Sequence, residues 1–271
     1  KPIYLKVGDP TDRYFTNLAW APDGKKVYMF ELNRDQNDCR LTAYDAETGE
    51  KTGELYREVD EKYVEPLNPI VFLPWDKSQF IMQSRQDGYN HLYLCTLGMH
   101  GSRMASNTES LEVEQLTEGK WEVLSVLGFN SKTKSIIYKS NEASPIQQNV
   151  YSVSVANKKR TRIDEGGKEW HEGSTISASG RYLLDNYQEP TVPRRIVAID
   201  TQTGKSHCIL NAKDPWKEKG YNIPEYSCGK LKAADGTTDL YWRMVKPVDF
   251  DPNKKYPTVV YVYGGPHAHN V

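Results

Sequence analysis

Short apolar segments separated by polar turns recur along most of the chain. Four times an apolar strand, a turn and a second apolar strand are followed by further strands and turns, with Val27, Phe80, Ile136 and Tyr182 at matching points of the second strand. These positions lie 53, 56 and 46 residues apart. A four-stranded propeller blade needs roughly 40–50 residues, so each repeat has the size of a blade with long loops. The pattern predicts an all-β fold with about four blades over residues 10–215, and an all-β sandwich is the alternative.

The predicted strands follow the apolar runs. In chain order they cover residues 15–20, 27–32, 41–45, 51–55, 70–73, 80–83, 91–95, 123–129, 135–138, 150–155, 174–178, 182–187, 195–200 and 205–210. Several runs are nearly unbroken, as is typical of strands that neighbouring blades cover on both faces. No helical stripe of ten or more residues occurs.

Three turn sequences support this order of strands. Residues 45–49 and 200–204 share the pattern D-x-x-T-G, and Asp23-Gly24 stands between the first two strands. Aspartate accepts hydrogen bonds from nearby backbone N–H groups, and glycine supplies a positive φ. We therefore expect a tight hairpin turn at each of these places.

The pattern changes after residue 212. Residues 215–221 are predicted to form a polar linker, and a β-hairpin with Asp235-Gly236 at its tip follows. Residues 257–263 contain four consecutive apolar side chains, as is typical of a buried strand in a parallel sheet. Because this strand precedes Gly264-Gly265 with no crossover after it, we expect the chain to end inside a second domain.

Composition and charge exclude several classes of protein. There are 35 basic and 36 acidic residues, a net charge of −1, which argues against nucleic-acid binding through bulk charge. The mean hydropathy of −0.71 would suit a disordered chain, but 18 Tyr, 6 Phe and 6 Trp argue for a packed fold. The apolar stretches are too short to span a bilayer. Lys1 opens on a polar segment without a signal peptide, and the missing initiator Met suggests a trimmed chain.

Sequence motifs for cofactors or metals are missing. The P-loop, the EF-hand loop and the G-x-S-x-G elbow do not occur, and His171-Glu172 lacks the second His of a metalloprotease helix. No cofactor is therefore expected. Cys39, Cys95, Cys208 and Cys228 form no CxxC pair. We expect buried free thiols, and a Cys208–Cys228 disulfide is left open.

Other polar clusters have a structural and a functional interpretation. His267 and His269 flank one alanine; they are expected to be loop histidines, with metal binding as the alternative. The basic run 158–162 is expected to be a solvated edge strand and not a nucleic-acid contact. Residues 88–91 and 121–122 are expected to pack between blades, with lining of a channel as the alternative.

One motif suggests chemistry. In Val262-Tyr263-Gly264-Gly265-Pro266-His267, small residues directly follow the predicted buried strand and leave backbone N–H groups free to face a substrate. In α/β-hydrolases the loop after the third strand supplies part of the oxyanion hole. The Tyr263 hydroxyl could donate to a developing oxyanion there, and a simple strand-ending turn is the alternative.

Residues 254–267 are similar to the first hydrolase-domain strands of the dipeptidyl peptidase IV family of prolyl oligopeptidase-type serine peptidases, particularly its bacterial members. Matches at 88–93, 117–123 and 149–151 occur in the same order as in that family. The resemblance runs from about residue 12 to residue 271, which is nearly the whole chain.

The resemblance implies an eight-bladed propeller that caps an α/β-hydrolase domain. Residues 1–215 would be about four blades of the second half of the propeller, and 216–271 a linker with the first hydrolase strands. Tyr263 matches the family's oxyanion-hole tyrosine. The nucleophilic Ser, the Asp and the His of the triad would lie outside this chain, and the chain lacks the Glu-Glu dipeptide that binds the substrate amine.

The function implied is release of N-terminal dipeptides with Pro, or less well Ala, in second position. The chain alone is then expected to be inactive, because nothing in it could attack the carbonyl that Tyr263 polarises. The resemblance implies peptide substrates with penultimate Pro or Ala, no nucleic acid, and a periplasmic, secreted or cell-surface location, and it leaves open a homodimer of the full-length enzyme. The alternatives are a prolyl tripeptidyl peptidase, a non-catalytic scaffold of the same architecture, and a sugar-binding propeller that leaves the Tyr263 motif unexplained.

Overall fold

The computed structural model describes residues 1–99, 109–165, 167, 170–171, 173–189 and 191–265. Within these residues the chain forms four four-stranded sheets, one two-stranded hairpin and one helical turn. In each four-stranded sheet the strands are arranged in sequence order, so the sheet is a meander. We call the four sheets blades 1 to 4 in chain order. No helix in the described part of the chain is long and apolar enough to cross a membrane.

Blades 1 and 2 are formed by the first part of the chain. The strands of blade 1 are β1 (Arg13–Trp20), β2 (Lys26–Asn33), β3 (Asp38–Asp45) and β4 (Lys51–Val59). The strands of blade 2 are β5 (Val71–Leu73), β6 (Asp76–Ser84), β7 (His91–Met99) and β8 (Glu109–Gln115). All pairs within these two blades are antiparallel. In β2, residues 27–32 are all buried, so both faces of this middle strand are covered, as its nearly unbroken apolar run predicts.

Blades 3 and 4 repeat the arrangement. The strands of blade 3 are β9 (Val123–Asn130), β10 (Ser135–Ser140), β11 (Asn149–Ser154) and β12 (Arg160–Arg162). The strands of blade 4 are β13 (Thr175–Ile176), β14 (Tyr182–Glu189), β15 (Val192–Asp200) and β16 (Ser206–Asn211). The predicted all-β fold with blade-sized repeats is confirmed, and Val27, Phe80, Ile136 and Tyr182 all lie on second strands.

Aromatic side chains fill the spaces beside these strands. Phe80 is fully buried, and its ring lies 5.4 Å from the ring of Phe72 and 6.4 Å from that of Tyr28. In a second cluster, the ring of Tyr138 stacks between those of Trp121 and Tyr151. These contacts explain how a chain of low mean hydropathy folds, because each aromatic ring removes a large apolar area from water.

The chain divides into two compact units. Unit 1 contains Lys1–Lys139, Tyr151–Thr161 and Ala178–Gly180. Unit 2 contains Ser140–Val150, Arg162–Ser177 and Arg181–Val271. The predicted division at residue 215 into a propeller part and a hydrolase part stays a prediction.

The predicted hairpin turns are confirmed at atomic level. Asp45 accepts hydrogen bonds from the backbone N–H groups of Glu47 and Thr48, and Gly49 has φ 74°. In the other D-x-x-T-G turn, Asp200 accepts from two backbone N–H groups in the same way, and Gly204 has φ 70°.

After blade 4 the chain forms a helical turn, α1 (Pro215–Glu218), inside the predicted linker. The predicted hairpin is confirmed as the antiparallel pair β17 (Tyr226–Lys232) and β18 (Asp239–Val245). Its tip has Gly236 at φ 70° and the Asp235 carboxylate accepting from the N–H groups of Thr237 and Thr238.

Two predictions of secondary structure were wrong in detail. Residues 257–263 have no regular secondary structure, and Val259 is 95% exposed. The four-residue apolar run suits a central strand, but no strand of the described chain pairs with it, and an apolar run alone cannot supply the missing hydrogen bonds. The predicted strand 174–178 is reduced to Thr175–Ile176.

The four cysteines are free thiols, which excludes a Cys208–Cys228 disulfide in this structure. Burial is confirmed for Cys39 and Cys95, and it raises the pKa of each thiol to about 12, so both are unreactive. For Cys208 and Cys228 the prediction of burial was wrong. Both lie on strands whose residues are mostly exposed.

Candidate functional site

Tyr263, the predicted oxyanion donor, lies near the end of the irregular segment that follows β18. Its side chain is 61% exposed, and its ring lies against Gly265, where an added Cβ would come within 2.6 Å of the ring. Most of the residue is open to solvent, and a residue larger than glycine at 265 would displace the ring. His267 and His269 lie outside the described residues. The role of Tyr263 in oxyanion stabilisation stays a prediction.

Within blade 2 and within blade 4, buried polar side chains lie at the end of the sheet where the second strand leads to the third. Successive strands of an antiparallel meander run in opposite directions. The turn from the second strand to the third therefore lies at the same end of the sheet as the point where the chain leaves the fourth strand. In blade 2 this end holds Ser84, Asn90 and His91, all at most 5% exposed. The same end of blade 4 holds His171 and Tyr187.

His91 illustrates how these groups are used. Its Nδ1 lies 3.1 Å from the Thr117 hydroxyl and its Nε2 lies 3.0 Å from the Gly119 carbonyl oxygen. The Trp121 ring packs edge-on against the imidazole at 4.7 Å. With both nitrogens bonded and no exposure, His91 has a packing role, which is the role expected for residues 88–91 and 121–122.

A half-buried carboxylate, that of Glu58, lies between the outer strand of blade 1 and the end of β6. Glu58 accepts hydrogen bonds from the hydroxyls of Ser84, at 2.7 Å, and Tyr56, at 3.3 Å. Burial raises the pKa of Glu58 above its ordinary value, and the two hydroxyls partly oppose that rise. Through these hydrogen bonds Glu58 joins β4 to β6.

The most concentrated set of ionisable groups surrounds His171, which is fully buried. Its Nδ1 lies 2.7 Å from Asp185 Oδ1, and its Nε2 lies 3.5 Å from Asp164 Oδ2. Burial raises the pKa of Asp164, although His171, the backbone N–H of Val150 and the Arg162 guanidinium lower it in part. These contacts tie the connection between β12 and β13 to β14.

Ser174 completes the same cluster without forming a catalytic triad. Its hydroxyl donates to Asp185 Oδ1 at 2.7 Å, the same carboxylate oxygen that His171 faces. A nucleophilic serine must instead donate to the imidazole that will take its proton. The His171 cluster is therefore structural. The sequence carried one signal for it, the aspartate Asp185 within the apolar strand 182–187, which the motif search did not use.

A cavity of about 220 Å³ opens beside blade 4. It is lined by Trp170, Gly173, Asn186, Tyr187, Gln188 and Arg194. Arg194 Nε donates to Asn186 Oδ1 at 3.1 Å, so the guanidinium is held along one wall. This geometry does not identify a ligand.

The basic run at 158–162 is engaged with neighbouring groups. Lys158 forms an ion pair with Glu114 at 2.8 Å, the Arg160 guanidinium lies over the Trp121 ring, and Arg162 pairs with Asp164. Among the residues that the structure describes, no three His, Cys, Asp or Glu side chains are grouped as metal ligands.

Comparisons with known proteins identify the blades. The family model of the dipeptidyl peptidase IV (DPP IV) N-terminal region matches residues 1–194, which include blades 1 to 3 and the first half of blade 4. The chain belongs to the dipeptidyl peptidase IV family. Its four meander sheets are accordingly part of the propeller of the DPP IV N-terminal region.

Individual relatives agree with this assignment. The chain is 26% identical over 265 residues to dipeptidyl peptidase 4 of Trichophyton rubrum, covering 96% of this chain and 33% of that protein. A solved Bacteroides ovatus structure, assigned as a dipeptidyl aminopeptidase IV, is 48% identical with a TM-score of 0.88 and covers 99% of this chain and 39% of that one. Porphyromonas gingivalis dipeptidyl peptidase 4 shares the fold, with a TM-score of 0.76. It is 21% identical, and the match covers 95% of this chain and 34% of that one. The chain thus spans about a third of the length of these DPP IV relatives.

Proposed function

We propose that these 271 residues work as the propeller side of a longer serine exopeptidase that releases N-terminal dipeptides with Pro or Ala in second position. The observation that carries the proposal is the match of the DPP IV N-terminal region to residues 1–194. Further support comes from the relatives that are dipeptidyl peptidases and cover 96% or more of this chain. The periplasmic, secreted or cell-surface location is proposed on family resemblance, and fractionation of the source cells tests it.

In this proposal the blades form a scaffold that limits which peptides reach the reaction centre, and Tyr263 supplies one oxyanion donor. A tetrahedral intermediate places negative charge on the former carbonyl oxygen, and a phenol hydroxyl directed at that oxygen stabilises it. The exposure of Tyr263 and the small residues that follow it support this role.

Substrate length distinguishes the proposal from its alternatives. The longer protein is assayed with the p-nitroanilides of Gly-Pro, acetyl-Gly-Pro and Ala-Ala-Pro. A dipeptidyl peptidase should hydrolyse Gly-Pro-p-nitroanilide and lose that activity when the amine is acetylated. Preference for Ala-Ala-Pro-p-nitroanilide would instead show a tripeptidyl peptidase, and no hydrolysis of any of the three would show a scaffold.

The purified 271-residue chain should hydrolyse none of these substrates. Oxyanion stabilisation gives little rate when no activated nucleophile is present. The matched control is the longer protein at the same molar concentration, with and without a serine-reactive inhibitor. Turnover by the chain that survives the inhibitor would contradict the assignment of the nucleophile to residues outside it.

A further inference from the structure

The Glu58 carboxyl, between blades 1 and 2, differs from the buried carboxyls of the chain in having no basic partner. Glu31 of blade 1 is held by Arg13 at 2.9 Å, and Asp185 of blade 4 lies 2.7 Å from His171. Among the described residues, Glu58 accepts hydrogen bonds from two hydroxyls, and no Lys, Arg or His forms an ion pair with it. A carboxylate at this place would therefore lie partly out of water without a counter-charge.

The ionisable groups of the described chain that face Glu58 are all acids. They are Cys39, opposite Glu58 in β3, Tyr56 in β4, Asp60 just after β4, and Tyr93 in β7. Burial raises the pKa of Cys39 and of Tyr93 to about 12 each, and it raises the pKa of Tyr56 as well. These three groups are thus uncharged at neutral pH. The charge of Asp60 is negative and opposes a second negative charge nearby.

These surroundings favour the neutral form of the Glu58 carboxyl. Removal from water, with a smaller effect of Asp60, raises the pKa of Glu58, and the hydroxyls of Ser84 and Tyr56 oppose that rise only in part. Linkage works in both directions. Because closing the contact favours the neutral carboxyl, ionisation of the carboxyl favours an open contact in which water solvates the charge.

The turn from β6 to β7 depends on this contact. Ser84, at the end of β6, donates its hydroxyl to Glu58 at 2.7 Å, and the same oxygen accepts the backbone N–H of Gln86 at 3.1 Å. The Tyr56 hydroxyl lies 2.9 Å from Gln86 Oε1. One chain of hydrogen bonds therefore connects Glu58 in blade 1 with the backbone of the turn in blade 2.

We propose that Glu58 makes the contact between blades 1 and 2 dependent on protonation. The neutral carboxyl holds the turn from β6 to β7 against β4. When the carboxyl gives its proton to water, the carboxylate moves towards solvent and the turn is held less tightly. Because the pKa of Glu58 is raised in the closed contact, the contact is strongest at acidic pH and weakens as the pH rises through that raised pKa. This device does not depend on the proposed function.

Amide hydrogen exchange at Gln86, measured from about pH 4.5 to about pH 8 and corrected for the intrinsic exchange rate, tests the proposal. Protection in the parent should fall with rising pH, by about tenfold for each unit by which the pKa of Glu58 exceeds its ordinary value. Glu58→Gln, which is neutral and of similar shape, should keep the protection seen at low pH throughout. Glu61→Gln is the matched control, because Glu61 is an exposed glutamate three residues away, and it should behave like the parent.

A direct titration separates the proposed device from a merely structural contact. The ¹³C chemical shift of the Glu58 carboxyl, assigned by its absence in Glu58→Gln, should titrate above the ordinary glutamate pKa of about 4.3. Ser84→Ala removes a hydrogen bond that favours the charged form, so it should raise this midpoint further. A midpoint at or below the ordinary value, a midpoint that Ser84→Ala leaves in place, or protection at Gln86 that does not change with pH in the parent would each overturn the proposal. Equal pH dependence in Glu58→Gln, or its loss in Glu61→Gln, would do the same.

Discussion

At the scale of single residues, the turns show how sequence determines local geometry. Gly49 and Gly204 end two turns of the same D-x-x-T-G sequence, with φ of 74° and 70°. Their surroundings differ. A Cβ on Gly49 would lie 2.1 Å from the backbone oxygen of Tyr4, whereas a Cβ on Gly204 would meet nothing within 4 Å.

Alanine at these two positions separates the two effects. Gly204→Ala should lower the free energy of unfolding by about 1–2 kcal/mol, the penalty of a left-handed conformation for a residue with a Cβ. Gly49→Ala should lower the free energy of unfolding by that amount and by about 1–3 kcal/mol more, because the segment around Tyr4 must move. Urea unfolding measures both. An equal decrease in the free energy of unfolding for both variants would show that the segment around Tyr4 moves at no energetic cost.

A charged pair in blade 1 gives a pH-dependent prediction. The Arg57 guanidinium donates to both oxygens of Asp38, at 2.8 and 2.7 Å. Chiefly through these hydrogen bonds, and despite partial burial, the pKa of Asp38 falls to about 2. Its charged form is therefore favoured more in the folded chain than in the unfolded one, where its pKa is near 3.8.

Asp38→Asn should lower stability by about 1 kcal/mol at pH 7, less than the pKa difference alone would give, because solvent screens this pair. Because the pKa of Asp38 is lowered in the folded chain, its charged form contributes to stability above about pH 4, and this contribution is lost as the pH falls towards 2. Urea unfolding of parent and variant at several pH values measures it. Asp35→Asn, in an exposed turn, is the control. A difference between parent and Asp38→Asn that stays constant down to pH 2 would contradict this account.

At the scale of elements, hydrophobic periodicity predicted most of the blade strands and missed those with few apolar residues. β8 has the sequence Glu-Ser-Leu-Glu-Val-Glu-Gln, so its charges hide its apolar positions from a search for apolar runs. The opposite error occurred at 257–263, where a strongly apolar run has no strand to pair with. A strand requires hydrogen bonds from a neighbour, and a single segment does not specify that neighbour.

The buried connection between blades 3 and 4 gives a test at this scale. His171→Ala would leave the Asp164 and Asp185 carboxylates buried without the imidazole between them. Removing one partner of a buried ionic group typically destabilises a protein by about 3–5 kcal/mol. We expect about 3 kcal/mol here, because Arg162 and Ser174 still contact these carboxylates.

Thermal unfolding and hydrogen exchange in β14 measure this loss. Gln202→Ala, in an exposed turn of the same blade, should change stability by less than about 0.5 kcal/mol. If His171→Ala lowered stability no more than this control does, the His171 cluster would not stabilise the connection between β12 and β13.

At the scale of the whole molecule, the sequence predicted the fold class better than the site. Turn chemistry and blade-length repeats are local properties, so the all-β order of strands could be predicted from residues 10–215. The His171 cluster could not, because residues 164, 171 and 185 meet only after the sheet has formed. The role of Tyr263 stays a prediction from the family resemblance, and its exposed surroundings differ from the buried strand end that the sequence predicted.

The central claim is that this chain belongs to a post-proline exopeptidase in which Tyr263 stabilises the oxyanion, and one kinetic measurement tests it most directly. The kcat of the longer protein on Gly-Pro-p-nitroanilide is compared with that of its Tyr263→Phe variant. Because the variant loses one oxyanion donor, kcat should fall by about 10²–10³ while circular dichroism shows the fold unchanged. An unchanged kcat would contradict the claim.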